Sequence, residues 1–94
     1  MKIEWVRLAW IDLEDAIDFI AHDKPEAARK TAKRILEAVR VLAEHPGAGR
    51  AGRVPGTREL VVGGTPFILP YRVKDNAVQI LRVLHASRQW PPSF

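Results

Sequence analysis

The spacing of apolar residues changes period once along this chain, and that change limits the fold more than any other feature. From Leu8 to Ala43 apolar side chains recur every three or four residues; from Arg58 to Leu84 they alternate with polar ones. The first spacing is that of a helix face and the second that of a strand. Between them lies 47–57, rich in glycine and proline, which reads as loop. Helices followed by strands predict an α+β domain rather than alternating βαβ units.

The elements can be placed more closely. Leu8, Leu13, Ala16, Ile17 and Ile20, with either Ile11 or Asp12, line one helix face; Asp12, Glu14, Asp15 and Asp18 point to water, and the helix ends near His22. Asp23-Lys24-Pro25-Glu26 predicts a second start, with Asp23 as the capping acceptor and Pro25 in the first turn. Ala28, Ala32, Ile35, Leu36, Val39, Leu42 and Ala43 form its buried stripe, and His45-Pro46-Gly47 ends it. So short a connection predicts an antiparallel hairpin. Met1–Trp5 alternates weakly, as a short edge strand would. Strands are expected over 58–62, 67–73 and 78–84, joined by turns at Gly63-Gly64 and Lys74-Asp75-Asn76. Pro66 and Pro70 suit a bulged or edge strand. The order is β-α-α-β-β-β: one domain over 1–94, a helical hairpin packed on a small antiparallel sheet.

The chain has no cysteine, which rules out a disulfide scaffold, a thiolate zinc site and a cysteine nucleophile. A small domain without staples suits a reducing compartment. No apolar run approaches the ~18 residues of a membrane span, and the N-terminus lacks a signal-peptide core. The expected location is the cytoplasm. The three histidines are not at metal-ligand spacing, so neither a metal site nor a cofactor is expected.

The net charge of +4 is unevenly spread: residues 1–28 carry three basic and seven acidic side chains, and residues 29–58 eight basic and two acidic. A basic middle suits an anionic partner, either nucleic acid or an acidic protein. It equally suits a solvated basic helix face beside an acidic helix. Arg50 and Arg53 stand among the loop glycines, where the backbone can approach a ligand closely, but no P-loop pattern is present.

His22 and His45 fall at helix ends, where a cation is favoured by the dipole. His85 ends the last strand. There it can act as a general acid or base, or hold the chain end by a hydrogen bond. Arg58, Arg72, Arg82 and Arg88 lie on or beside the strands, and arginine presents a fork that fits phosphate oxygens. Each also has a structural reading as a surface pair or a cover for the sheet. Trp90-Pro91-Pro92 makes a stiff tail that packs back on the domain or meets a partner.

Three stretches then carry a family likeness. They are Pro46-Gly47-x-Gly49-Arg50-x-Gly52-Arg53-Val54-x-Gly56-Thr57-Arg58-Glu59-Leu60-Val61, Pro66-Phe67-x-x-x-Tyr71-Arg72-Val73, and Ile80-Leu81-Arg82-Val83-Leu84-His85 with Arg88 and Trp90-Pro91. Together they closely resemble the ParE/RelE superfamily of bacterial type II toxin–antitoxin toxins. The likeness extends to the hairpin, through Asp12-Leu13 and Pro25-x-Ala27-Ala28. It implies a growth-inhibiting toxin held in a hetero-oligomer by a cognate antitoxin, which contributes a helix and an added strand. It also implies that operator DNA is reached only through the antitoxin.

The superfamily divides in two. RelE-like members cut mRNA on the ribosome, and ParE-like members inhibit DNA gyrase without that chemistry. This chain has no tyrosine after Tyr71 and no lysine in the 47–57 loop, where RelE-like nucleases carry such residues. Arginine is a poor base because it stays protonated. An endonuclease would have to rely on Arg58, Arg82 and His85. The ParE-like reading is favoured, with Arg50, Arg53, Arg58, Arg72, Arg88 and Trp90 as contacts for target or antitoxin.

Overall fold

A computed structural model describes residues 1–94. Strand β1 (Lys2–Trp5) leads into helices α1 (Arg7–Asp23) and α2 (Pro25–Glu44). Strands β2 (Arg50–Ala51), β3 (Arg58–Val61), β4 (Phe67–Lys74), β5 (Ala77–Ile80) and β6 (Leu84–His85) follow. The hairpin of helices and the three main strands lie where the two periods place them.

The two helices are separated by one residue. Lys24 leaves the helical conformation (φ −138°, ψ 77°); its N–H closes α1 on the Ile20 carbonyl at 2.8 Å, and its own carbonyl accepts the Ala28 N–H at 3.0 Å, opening α2. Pro25 follows as the first helical residue, where its missing N–H costs nothing. Asp23 does not cap α2 as expected. It is still inside α1, so Lys24 takes the capping position without a side-chain hydrogen bond.

The sheet runs β1-β5-β4-β3-β2, with β6 also on β4. It is mixed rather than wholly antiparallel, because β1 pairs in parallel with β5 (Lys2 opposite Ala77, Trp5 opposite Ile80). The helical hairpin between them supplies the crossover that a parallel pair requires. Asp75 and Asn76 turn β4 into β5 with φ of 52° and 61°, a left-handed geometry that their short polar side chains tolerate.

Pro70 sits in the centre of the sheet, not at an edge, and the irregularity falls on its neighbour. Its carbonyl accepts the Leu81 N–H at 2.9 Å, but proline has no N–H to return. The expected strand over 78–84 therefore breaks into β5 and β6. Between the pairs Tyr71–Ile80 and Ile68–Leu84 the β5–β6 side carries one residue more than β4, a bulge at Arg82 and Val83.

One face of the sheet meets the helices. Ala9 and Leu13 of α1 and Ile35, Val39 and Leu42 of α2 pack on Phe67, Leu69, Tyr71, Val78 and Ile80. Truncating a fully buried residue such as Ile35 or Leu42 to alanine costs about 2–5 kcal/mol.

Candidate functional site

The glycine–arginine stretch folds around one carboxylate. Glu59 on β3 is only 3% exposed. It stands opposite Pro70, on the sheet face away from Tyr71. Its Oε1 accepts from Arg50 Nε and Nη2 at 3.3 and 3.2 Å, and its Oε2 accepts the Arg53 backbone N–H at 2.8 Å. The Arg53 guanidinium lies 3.6 Å from the same oxygen. A buried carboxylate is tolerable only when so compensated. The segment read as pure loop thus contains a short strand, β2, with Arg50 opposite Glu59. The arginine side chains keep 55% and 51% of their surface in solvent, so each leaves its outer edge exposed.

A second anchor holds the loop from the other face. The Tyr71 hydroxyl donates to the Pro46 carbonyl at 2.7 Å and accepts the Gly49 N–H at 2.9 Å. Arg58, opposite Tyr71, donates to the Gly49 carbonyl at 2.9 Å. A Cβ on Gly49 would fall 2.6 Å from the Tyr71 ring and 2.8 Å from the Glu59 carbonyl oxygen, so only glycine fits there. Much of the signature spacing is thereby used in folding the loop.

Asp12 and Arg82 join α1 to the bulge. The carboxylate accepts from Arg82 Nε at 2.7 Å and Nη2 at 3.1 Å, and from the Val83 amide at 3.0 Å. The last bond satisfies an N–H that the bulge takes out of the ladder. Hydrogen bonding to Asp12 raises the Arg82 pKa above its ordinary value, against the opposing effect of burial.

His85 lies beside them, at the end of β6. Its Nδ1 accepts the Ser87 N–H at 3.1 Å and lies 2.7 Å from the Ser87 hydroxyl. The acceptor role at Nδ1 puts the proton of the neutral ring on Nε2. The ring packs edge-on against Phe67. Asp12, Asp15, Phe19, Arg82, His85 and Arg88 line a cleft of about 460 Å³ between α1 and the sheet end.

The structure thus brings Arg82, His85 and Arg88 together and leaves Arg58 apart. Arg58 is opposite Tyr71 and His85 opposite Phe67, on opposite flanks of β4. Four residues of strand separate the two levels, about 13 Å at ~3.3 Å per residue. Arg72 belongs to neither group. It donates to Gln79 Oε1 at 2.7 Å, and the Gln79 amide donates to Glu4 Oε1 at 3.0 Å, a polar ladder across β4, β5 and β1. Trp90 lies under Arg53, whose Cζ is 3.7 Å from the ring centroid.

Sequence reasoning missed three participants. Asp12 had a signal, since it falls at the boundary of the apolar stripe of α1. Glu59 had a weaker one, an acid among arginines in a strand. The Tyr71 hydroxyl had none, because its partners are backbone atoms 25 and 22 residues away.

The same arrangement of helices and strands occurs in the chromosomal ParDE TA system from P. aeruginosa, with a TM-score of 0.82 and 39% identity over 90% of this chain and 95% of that one. Fold and loop together define a toxin of the type II toxin–antitoxin class. A family model described as the ParE toxin of type II toxin–antitoxin system, parDE, matches residues 3–90, and the chain belongs to this ParE toxin family. It is 44% identical over 90 residues to the protein Y4kP of Sinorhizobium fredii, covering 96% of this chain and 93% of that one. It is 38% identical over 87 residues to the toxin RelE2 of Caulobacter vibrioides, covering 93% and 97%. A toxin of this class has a cognate antitoxin as its partner.

Proposed function

We propose that this ParE-family toxin arrests growth in the cytoplasm by binding DNA gyrase, with no catalytic chemistry of its own, and that its antitoxin neutralises it. In this reading it reaches operator DNA only through the antitoxin. One observation carries the proposal: each residue needed for RNA cleavage is already engaged, and the three do not converge. Arg82 is paired side-on with Asp12 through Nε and Nη2, and Arg58 donates to a backbone carbonyl on the far flank of the sheet. The His85 nitrogen that lacks a proton in the neutral ring is taken by Ser87. A general base must have a free lone pair within reach of the proton it removes. The only tyrosine is fully buried and tied to two backbone groups.

The outer edges of Arg50 and Arg53 are the proposed contacts for target or antitoxin. Arg58, Arg72, Arg88 and Trp90 complete the candidate set.

The endonuclease reading draws support from the cleft, where His85 and Arg88 line one wall and Asp12 and Asp15 the other. Primer extension on mRNA from cells expressing the toxin separates the two. Codon-linked cuts would favour the nuclease; their absence, with gyrase inhibited in vitro, supports the proposal.

A further inference from the structure

The C-terminal tail is attached in an unusual way. Beyond Arg88 it makes no backbone hydrogen bond to the rest of the domain; the last ones run from Ala86 to Pro66 and from Arg88 to His85. Pro91 and Pro92 stiffen it and remove two donors. What holds it is side chains. The Trp90 ring stacks under the Arg53 guanidinium, and Phe94 lines one side of a cavity of about 510 Å³. Val6, Leu8, Leu81 and Arg72 line that cavity from the body of the domain, and Val54 and Pro55 line it from the loop.

Two details set the balance of this contact. Arg53 is not free to wander, since Glu59 holds both its backbone amide and its guanidinium. Against this, the Trp90 Nε1–H is buried with no acceptor. A stranded donor works against the buried position and is relieved when the indole leaves it. The stranded donor therefore opposes the stacking and apolar contacts that hold the tail closed.

We propose that residues 89–94 form a releasable strap, latched by Arg53 on Trp90 and set by Glu59. Opening it takes the Phe94 wall away from the apolar surface of Val6, Leu8 and Leu81 and frees Trp90, with the indole N–H able to donate to a protein partner. The signature loop thus governs the state of the tail through one chain of contacts, Glu59 to Arg53 to Trp90. The device stands apart from the choice of target, because it requires only that the tail have a closed and an open state.

Exchange of the three indole N–H protons with water, followed by NMR on the full chain, tests this. Trp90→Phe identifies the Trp90 signal, and Trp5 and Trp10 serve as internal controls. In the unmodified protein the Trp90 indole should exchange more slowly than a free indole. In Arg53→Ala it should exchange about tenfold faster, the factor given by losing about 1.4 kcal/mol of closing energy, with Trp5 and Trp10 unchanged. Glu59→Gln should give a smaller acceleration. Arg53→Lys should restore part of the protection, because an ammonium still sits over the ring. A Trp90 indole that exchanges freely in the unmodified protein overturns the proposal. So does an Arg53→Ala variant with all three indoles unaltered. If that variant speeds all three, Arg53→Lys decides: its Trp90 indole must alone be faster than in the parent.

Discussion

The Asp12 carboxylate receives Arg82 on both of its oxygens, at 2.7 and 3.1 Å, and the Val83 amide on one of them. A helix residue and a bulge residue 70 positions apart are thereby fixed to each other, and the Val83 amide in the bulge is satisfied by a side chain. Removing the acid strands a partly buried guanidinium and an amide together. Asp12→Ala should lower the unfolding free energy by about 3 kcal/mol, in the range of charged hydrogen bonds. Asp12→Asn keeps one acceptor for Val83 and should cost less. Urea denaturation monitored by circular dichroism measures both.

The raised Arg82 pKa fixes the pH behaviour of that pair. A group whose folded pKa is raised contributes stability that is fully present below its unfolded pKa and is lost only as pH climbs through the folded one. For arginine that window lies above about pH 12. The Asp12–Arg82 coupling energy from a double-mutant cycle should therefore be the same at about pH 7 and about pH 10. A coupling that fell between those values would mean the pair is not the one seen here.

Glu59 is the one buried acid in the chain. Glu59→Gln loses the charge that compensates Arg50 and Arg53 and should destabilise by about 2 kcal/mol. Thermal melting gives the loss. Because Arg50 stands opposite Glu59 in the two-residue β2–β3 ladder, amide exchange at Arg50 and Ala51 should rise as well.

The Tyr71 hydroxyl offers a cleaner test of how the loop is held. Tyr71→Phe keeps the buried ring and deletes two hydrogen bonds, at a cost of about 1–2 kcal/mol. The Gly49 amide, which donates to that oxygen, should lose its protection from exchange while the helices keep theirs. Gly49→Ala should cost more, about 1–3 kcal/mol of overpacking, since the added carbon meets both Tyr71 and the Glu59 carbonyl.

The fold was legible because its signals are local. The change of period at the loop marks helices and strands, and Pro25, Pro46 and the Asp75-Asn76 turn mark their ends. What escaped depends on partners far off in the chain. Asp23 reads as a cap only if α1 stops before it, and α1 gains one more residue. Pro70 reads as an edge or bulge signal, yet its missing N–H disrupts the neighbouring strand instead. The arginines announced a charged site but not their partners, because nothing local says that Glu59 will be buried or that Asp12 will reach Arg82. The loop arginines turn out to be half scaffold and half surface.

His85 bears on mechanism directly. Under a non-catalytic mode of action, His85→Ala should arrest growth as fully as the parent toxin when induced without antitoxin. Loss of arrest with an unchanged melting temperature would restore a catalytic role to this residue.

We propose that this ParE-family chain inhibits gyrase by binding. Purified toxin mixed with DNA gyrase, ATP and relaxed plasmid tests it most directly. Supercoiling should be blocked and cleaved plasmid should accumulate, equally with the His85→Ala variant, and stoichiometric antitoxin should restore supercoiling. Plasmid that becomes fully supercoiled in the presence of micromolar toxin would contradict it.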